Sequence, residues 1–253
     1  MKTKTSGGVR AKTAYKRVLL KVSGEVLGDR ARGECLAPEK LAYVAGCVKR
    51  LRSMGVQTGI VTGGGNIFRG LAGSGRGFDR TTGDSMGMLA TAINSLAIAN
   101  ALESAGIPAK VFSAVEMPKI AETFTKRKAV ECLEKGIVAV FAGGTGNPFF
   151  STDSAAALKA CEIGAEVLLK ATKVNGIYTA DPAKDPSASK YDALGFSEAL
   201  EKRLGVMDAA AFALCMDNDL PIIVFDFSDA KALEKAVRGE KAGTIVGRKT
   251  WKR

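Results

Sequence analysis

The sequence predicts an α/β fold in which a parallel-rich sheet is covered by helices on both faces. Short apolar runs alternate with longer amphipathic segments along the 253 residues. Several of the short runs are apolar throughout, which is typical of parallel strands that are buried on both faces. The longer segments begin and end at residues that are typical of helix boundaries. This alternation favours helical crossovers between strands, and therefore a parallel sheet.

Six segments are predicted strands because each is short and dominated by apolar residues, many of them β-branched. In chain order they are Arg17–Val22, Gln57–Thr62, Ala109–Ser113, Ile137–Ala142, Val167–Ala171 and Pro221–Phe225.

Five longer segments are predicted helices. The first begins with a proline and ends before a glycine, the second repeats apolar residues at helical spacing, and the third is alanine-rich and stops before a glycine. A polar stretch between the third and fourth helices, Ala180–Ser189, is predicted to be a long surface loop. The helices are Pro38–Met54, Asp84–Ser104, Thr152–Ile163, Asp208–Asp217 and Asp229–Arg238.

The composition excludes several classes of protein. The sequence has no histidine, which rules out Ser-His-Asp and Cys-His catalysis and every histidine-ligated metal site. The five cysteines are scattered without a C-x-x-C pair, so we interpret them as small buried residues in a reducing cytoplasm. The longest nearly apolar stretch, Gly136–Gly144, is too short to span a bilayer. Lys21 interrupts the apolar run that begins at Val18, so no secretory signal is predicted.

The net charge of +11 suggests nucleic-acid binding until it is mapped along the chain. Residues 1–17 contain six Lys/Arg and no acid, and residues 231–253 contain eight Lys/Arg and two acids. The body between them is nearly neutral, so the excess charge belongs to the termini. We interpret these basic ends as solvated segments rather than as a nucleic-acid surface.

Three predicted strands end in small residues that suit an anion. Lys21-Val22-Ser23-Gly24 ends the first, Gly63-Gly64-Gly65-Asn66 ends the second, and Gly143 through Asp153 follows the fourth. Glycine lets backbone N–H groups approach an oxyanion, and a following helix directs its positive end to the same place. Lys21 and Arg69 add full positive charges. Since ligands bind at the carboxyl ends of parallel strands, these ends predict a site for several phosphates.

The commonest nucleotide-binding motifs are missing from the sequence. It contains no Gly-Lys dipeptide and therefore no P-loop, and without histidine it has no protein-kinase catalytic motif. If the protein transfers phosphoryl groups, it uses another fold.

The three strand ends overlap longer composite motifs, and two further motifs occur in the chain. In order the five are Lys21–Glu25, Gly63–Gly70, Gly83–Thr91, Gly144–Ala156 and Leu169–Pro182. In these motifs the sequence resembles the amino acid kinase family, and in particular its bacterial members that phosphorylate UMP. The resemblance spans about residues 15–247 in order and with the family's spacing. Residues 1–14 and 248–253 lie outside it and are predicted to be basic, flexible tails.

The resemblance implies the amino acid kinase fold, a three-layer αβα sandwich with a mostly parallel central sheet. The N-terminal part would bind UMP and the C-terminal part ATP. The implied reaction is ATP + UMP → ADP + UDP with Mg²⁺, in cytoplasmic pyrimidine nucleotide biosynthesis. The resemblance further implies a homohexamer that GTP activates and UTP inhibits, with no membrane partner.

The resemblance also implies roles for individual residues. Lys21 would stabilise the phosphoryl group in transfer, Arg69 would assist it, and Asp153 would orient Lys21 or help to place Mg²⁺ through water. No residue is expected to ligate the metal directly. The residues expected to bind ATP are Lys21, Val22, Ser23, Gly24, Gly65, Arg69, Thr172, Tyr178 and Asp181.

On the acceptor side, Asp84 would accept a hydrogen bond from the UMP ribose, and a loop would enclose UMP. The residues expected to bind UMP are Gly64, Asp84, Thr145, Gly146, Asn147, Pro148, Phe149, Phe150, Ser151 and Thr152. The segment implicated in GTP activation is more charged here than the glycine-rich form expected of the family. Its residues are Asp29, Arg30, Ala31, Arg32, Gly33 and Glu34.

Two other functions are compatible with the sequence. One is a different amino acid kinase that phosphorylates a carboxylate or carbamate, although Asp84 and the Asn-Pro-Phe-Phe loop favour a nucleotide. The other is a nucleotide-sensing or nucleic-acid-binding regulator, for which the basic tails are the supporting feature. A substrate panel separates the first from UMP phosphorylation, and tail truncation tests the second.

Overall fold

The strands form one nine-stranded sheet. The computed structural model describes residues 13–68, 77–202, 204, 207–248 and 251. All six predicted strands are present, with bounds within one residue of the prediction. The strands are β1 (Arg17–Val22), β2 (Gln57–Thr62), β3 (Ala109–Ser113), β4 (Glu122–Thr123), β5 (Val138–Ala142), β6 (Val167–Thr172), β7 (Ala193–Leu194), β8 (Ile222–Asp226) and β9 (Thr244–Val246).

The five predicted helices also form, and three of them begin at other residues than predicted. The second starts at Arg80 rather than Asp84, because the Asp79 carboxylate caps it by accepting from the Thr82 N–H. The fourth starts at Ala209 rather than Asp208, because Asp208 is its N-cap and accepts from the Ala211 N–H. The last starts at Ala232 rather than Asp229. The helices are α1 (Pro38–Ser53), α2 (Arg80–Ser104), α3 (Lys126–Glu134), α4 (Thr152–Ile163), α5 (Phe196–Glu201), α6 (Ala209–Asp217) and α7 (Ala232–Arg238), with a short 3₁₀ turn at Gly24–Val26.

The elements absent from the prediction are short or highly charged. β4 and β7 contain two residues each, too few for a periodic pattern. Helix α3 has the sequence KRKAVECLE and buries only Ala129 and Leu133, so its apolar signal is weak.

The strand order is β4-β3-β5-β2-β1-β6-β8-β9-β7. Every neighbouring pair is parallel except β8 and β9, which are antiparallel. The prediction of a mostly parallel sheet is therefore confirmed. In this order β5, β2, β1 and β6 are consecutive, so their carboxyl ends lie side by side at one edge.

Two helical layers cover the sheet, as the resemblance implies. Alternate residues of β1 show the division. Val18, Leu20 and Val22 belong to a core shared with α1, α2 and α7, whereas Leu19 belongs to a second core shared with α3, α4, α5 and α6. All four side chains are fully buried, which explains why the strand is apolar throughout.

Helix α2 combines a buried face with an exposed apolar face. By length and composition it could cross a membrane, which the sequence analysis did not single out, and 44% of its most apolar 18-residue window is buried in the protein. It packs on β3, β5 and α1, as the covering helix of a sheet does. Leu89, Ile93 and Leu96 remain exposed on its other side, at a spacing that forms one stripe.

The ends of the described chain contact the folded domain. The Ala14 N–H donates to the Val237 carbonyl at 2.8 Å. Residues of the predicted C-terminal tail also make contacts. Arg248 pairs with Asp219 at 2.9 Å, and the indole Nε1–H of Trp251 donates to the Asp192 carbonyl at 2.8 Å.

All five cysteines are free thiols. The interpretation as buried residues is confirmed for Cys47 and Cys215 and is wrong for Cys35, which is exposed. Cys35 follows Glu34 in a charged surface turn, where no helical layer covers it.

Candidate active site

The three glycine-rich strand ends lie side by side, because β5, β2 and β1 are consecutive parallel strands. Gly24 lies so close to Gly63 that a Cβ atom on Gly24 would be 2.5 Å from the Gly63 carbonyl oxygen. A side chain there would separate the ends of β1 and β2, so this glycine serves close backbone approach rather than an unusual φ angle.

A pair of amide side chains, one buried (Asn94) and one half-buried (Asn66), fixes the end of β2. The Asn94 side chain, on α2, donates to the Gly63 carbonyl at 2.6 Å and to the Asn66 side-chain oxygen at 2.7 Å. Asn66 in turn donates to the Cys35 carbonyl at 2.7 Å. Because these amides are tied to backbone groups, they hold the triple-glycine turn in one conformation.

Asp153 lies between two lysines at the carboxyl ends of the central strands β1 and β6. Its Oδ1 is 2.9 Å from Lys21 Nζ and its Oδ2 is 2.6 Å from Lys170 Nζ. All three side chains are at least four-fifths buried. Lys21 and Lys170 are register partners on β1 and β6, so the sheet brings both ammonium groups to the helix that bears the acid.

The charges of this cluster shift one another's protonation. Burial by itself would raise the pKa of Asp153, but the ammonium groups of Lys21 and Lys170 outweigh it and lower that pKa below its ordinary value. Burial lowers the pKa of Lys170, and the nearby Lys21 charge adds to this effect although Asp153 opposes it. Asp153 is therefore an anion that neutralises two buried ammonium groups.

The N-terminus of α4 points into the same region. The Ser151 hydroxyl accepts from the N–H groups of Asp153 and Ser154 and caps the helix. Asp208, which caps α6, accepts from the hydroxyls of Ser151 and Ser154, the latter at 2.9 Å. The two helix starts are thereby joined beside the lysine cluster.

Sequence reasoning missed Lys170 and Asp208. Lys170 lies in a segment that carries the family resemblance, but only strand order and register bring it opposite Lys21. Asp208 was predicted as a helix start, and nothing in the sequence connects it to Ser151.

A cavity of about 160 Å³ lies between α2 and the loop after β5. Predicted UMP-binding residues that line it are Gly64, Asp84, Thr145, Asn147, Phe150, Ser151 and Thr152. Gly146, Pro148 and Phe149 belong to the same loop without lining the cavity. The structure therefore gathers most of the predicted acceptor residues around one space, next to Asp153.

The loop that closes this cavity depends on left-handed backbone conformations. Gly143, Gly144 and Gly146 have φ angles of +77°, +59° and +81°, which glycine adopts without the steric cost of a Cβ. The Gly143 N–H donates to the Thr91 hydroxyl at 2.9 Å, which joins the loop to α2.

The predicted ATP-binding residues lie at the ends of β1, β2 and β6 and in the segment after β6. Val22, Ser23 and Gly24 end β1, and Gly65 lies in the turn after β2. Thr172 ends β6 and lines a second cavity of about 480 Å³, together with Tyr43 and Phe227. Tyr178 and Asp181 follow in the surface segment after β6. Arg69 lies outside the described residues.

The predicted GTP segment is a small antiparallel bridge between Asp29 and Glu34. Its arginines are engaged within the chain, since Arg30 pairs with Glu25 at 2.8 Å and Arg32 pairs with Asp29 at 3.1 Å and with Glu39. Glu25 also pairs with Lys173 at 3.2 Å, at the end of β6. The segment is thus connected through Glu25 to Lys173, directly after β6.

Among the described residues, no cluster of three or more His, Cys, Asp or Glu side chains could hold a metal. Asp153 is occupied by two lysines, and Asp208 by two hydroxyls. A cation at this edge would therefore need ligands from bound phosphates and water.

A three-layer sandwich with cations and amide N–H groups at its strand ends is typical of proteins that bind phosphate groups. Residues 16–226 match the model of the amino acid kinase family. The chain belongs to that family. It is 54% identical over 235 residues to a uridylate kinase of Porphyromonas gingivalis, with 92% of this chain and 98% of that protein covered. It is 51% identical over 233 residues to a uridylate kinase of Bacteroides thetaiotaomicron, with the same coverage of 92% and 98%.

A solved structure of UMP kinase from Bacillus anthracis has the same architecture. It aligns with a TM-score of 0.89 at 34% identity, over 92% of this chain and 96% of that one.

Proposed function

We propose that the protein transfers a phosphoryl group from ATP to UMP and forms ADP and UDP. The observation that carries the proposal is the buried Lys21–Asp153–Lys170 cluster. It includes the β1 end predicted to bind ATP, and Asp153 directly follows Thr152, which lines the cavity together with Asp84. The uridylate kinase relatives supply the identities of donor and acceptor. The product would enter the synthesis of UTP and CTP, in the cytoplasm.

In-line transfer to UMP needs no general base, because a phosphate oxygen is already ionised at neutral pH. Catalysis then depends on positioning and on stabilising negative charge. Lys21 and Lys170 supply fixed positive charge, and the N-terminus of α4 with the glycine amides supplies aligned N–H dipoles. Asp153 keeps the two ammonium groups from repelling each other until the phosphates arrive. Arg69 remains proposed as a second cation at the phosphates.

Mg²⁺ would be bound by the phosphates of the two nucleotides, with water completing its coordination. It would supply further charge neutralisation when bound. The chain's own part is to leave room for those phosphates and to keep Asp153 and Asp208 engaged elsewhere.

We further propose a homohexamer that GTP activates and UTP inhibits. The exposed stripe of Leu89, Ile93 and Leu96 on α2 supports self-association. The Asp29–Glu34 bridge supports a regulatory route, because Glu25 joins it to Lys173 at the proposed donor site.

The test is a substrate panel with purified protein, ATP and Mg²⁺, with and without GTP. We expect UDP from UMP, much slower turnover of CMP, AMP and dUMP, and no phosphorylation of carboxylate or carbamate acceptors. Lys21→Ala should lower kcat by at least about 100-fold with the fold retained, since it removes transition-state charge stabilisation. Lys202→Ala removes an exposed lysine that is paired with Glu198. Its kcat should equal that of the parent protein. Near-normal turnover of Lys21→Ala would refute the proposed role.

A further inference from the structure

Arg80 contacts both the proposed ribose-binding acid and the loop that encloses the acceptor. Its Nε donates to Asp84 Oδ2 at 2.7 Å, one helical turn further along α2. Its guanidinium carbon lies 5.5 Å from the centre of the Phe149 ring, within the range of a cation–π contact. No functional role in the sequence analysis included this arginine.

The two oxygens of Asp84 have different surroundings. Oδ2 accepts both from Arg80 Nε and from the backbone N–H of Phe149, each at 2.7 Å. Within the part of the chain that the structure describes, Oδ1 accepts no hydrogen bond. The carboxylate lines the acceptor cavity and is only 15% exposed. One oxygen thus holds the carboxylate in place, and the other is left for a ligand.

Phe149 adopts a strained conformation to make its contact. Its φ angle is +71°, in the left-handed region that is sterically unfavourable for a residue with a Cβ atom. The N–H bond to Asp84 and the contact with Arg80 offset this cost. Release of either contact would free the loop that includes Thr145 and Phe150.

We infer that Arg80 is a positioning residue for ribose recognition. It saturates Oδ2 of Asp84 and presents Oδ1 to a ribose hydroxyl, and it holds the acceptor loop closed at Phe149. The inference rests on the proposed phosphorylation of UMP and deepens it by naming how ribose is distinguished from deoxyribose. A site built to bind a hydroxyl discriminates against the analogue that lacks it, because the oriented acceptor is then left unpaired.

A purely structural arginine would behave differently. An exposed Arg–carboxylate pair at i, i+4 contributes little to the stability of a helix and affects no substrate selectively. The chain offers a matched control in Arg127, which pairs with Glu131 at 2.9 Å and the same spacing on α3, away from the cavity.

The experiment measures kcat and KM for UMP and dUMP at saturating ATP. Arg80→Met should raise the KM for UMP about 10-fold, leave kcat within about threefold, and lower the UMP/dUMP ratio of kcat/KM about 10-fold, since one oriented hydrogen bond is lost. Arg80→Lys should be intermediate, because it keeps the charge and loses the planar donor. The KM for ATP should not change, and Arg127→Met should match the parent protein.

A double-mutant cycle makes the inference falsifiable. Asp84→Asn should lower the same ratio, and adding Arg80→Met to it should have little further effect, since both act through one carboxylate. An unchanged UMP/dUMP ratio in folded Arg80→Met, or equal losses on both substrates, would overturn the role of Arg80. If the parent protein fails to phosphorylate UMP at all, the proposed function itself fails, a result distinct from these two.

Discussion

Asp153 is the residue on which the charge arrangement of the site depends. Its carboxylate bridges Lys21 on β1 and Lys170 on β6, and all three groups are largely buried. Two ammonium groups without this anion would repel each other in a medium that screens them poorly. Under the proposed function, the same arrangement offers a phosphate two cations, which one solvated lysine could not provide.

Replacement of Asp153 by asparagine should destabilise the protein in a pH-dependent way. At neutral pH we expect a loss of about 3 kcal/mol of unfolding free energy, because the buried lysines lose their partner. Since the pKa of Asp153 is lowered in the folded state, the contribution of its charge is fully present above the ordinary Asp pKa of about 4 and is lost as the pH falls through the lower, folded-state value. The difference between the two proteins should therefore shrink below about pH 4.

Urea denaturation between pH 7 and pH 3 measures this difference. The control is Asp192→Asn, which alters an exposed acid paired with Lys241 and should cost little at any pH. If the loss of unfolding free energy in Asp153→Asn did not vary with pH, the assignment of Asp153 as a charged carboxylate in the folded protein would be contradicted.

At the scale of elements, the site is built where strand ends and helix starts meet. The ends of β1 and β2 are in close backbone contact at Gly24 and Gly63, and α2 fixes the second of them through Asn94. The start of α4 is joined to that of α6 through Asp208. Most elements contribute a terminus to the site, and α2 also contributes the interior residues Asp84 and Asn94.

Gly24→Ala tests the contact between the β1 and β2 ends. Its Cβ would be 2.5 Å from the Gly63 carbonyl oxygen, so we expect a loss of about 1–3 kcal/mol by overpacking and a higher KM for ATP. Gly46→Ala, in the interior of α1, meets only the end of the Arg50 side chain at 3.8 Å and should stabilise the protein by about 0.5–1 kcal/mol.

Thermal denaturation and ATP-dependent kinetics measure the two effects separately. If both variants were equally stable and active, close approach of the strand ends would not be what selects glycine at residue 24.

At the scale of the whole molecule, the outer face of α2 remains without a partner in a single chain. Leu89, Ile93 and Leu96 are 54%, 47% and 39% exposed on a helix whose inner face is buried. A stripe of this kind suits packing against the same stripe of a second copy, since a two-fold interface is self-complementary. One such interface joins a pair of chains, and a hexamer needs a second kind of contact between pairs.

Charge substitution in the stripe should disrupt assembly. We expect Leu89→Glu combined with Ile93→Glu to reduce the mass below that of the parent assembly, because like charges would meet across the interface. Sedimentation velocity measures the mass, and Val174→Glu, at an exposed apolar residue outside the stripe, is the control. An unchanged mass of the double variant would show that the stripe is not an interface.

The local elements of this protein could be predicted from the sequence alone. Apolar runs and boundary residues predicted β1, β2 and β3 to the residue, and α4 together with its glycine end. They failed for α3, α5, β9 and the two-residue strands, whose signals are weak or too short. The glycine-rich strand ends, the absence of histidine and the family motifs also narrowed the chemistry to phosphate handling without a base.

Only the tertiary structure decided which of these strand ends, helix starts and loops are in contact. Periodicity describes the backbone within one element, whereas strand order and register depend on packing between segments far apart in the chain. The placement of β6 beside β1 pairs Lys170 with Asp153 and Lys21, and the fold of the loop after β5 brings Phe149 to Arg80 and Asp84. The sequence determined that lysines and glycines lie at the strand ends. Long-range packing determined that Lys21 and Lys170 both face Asp153.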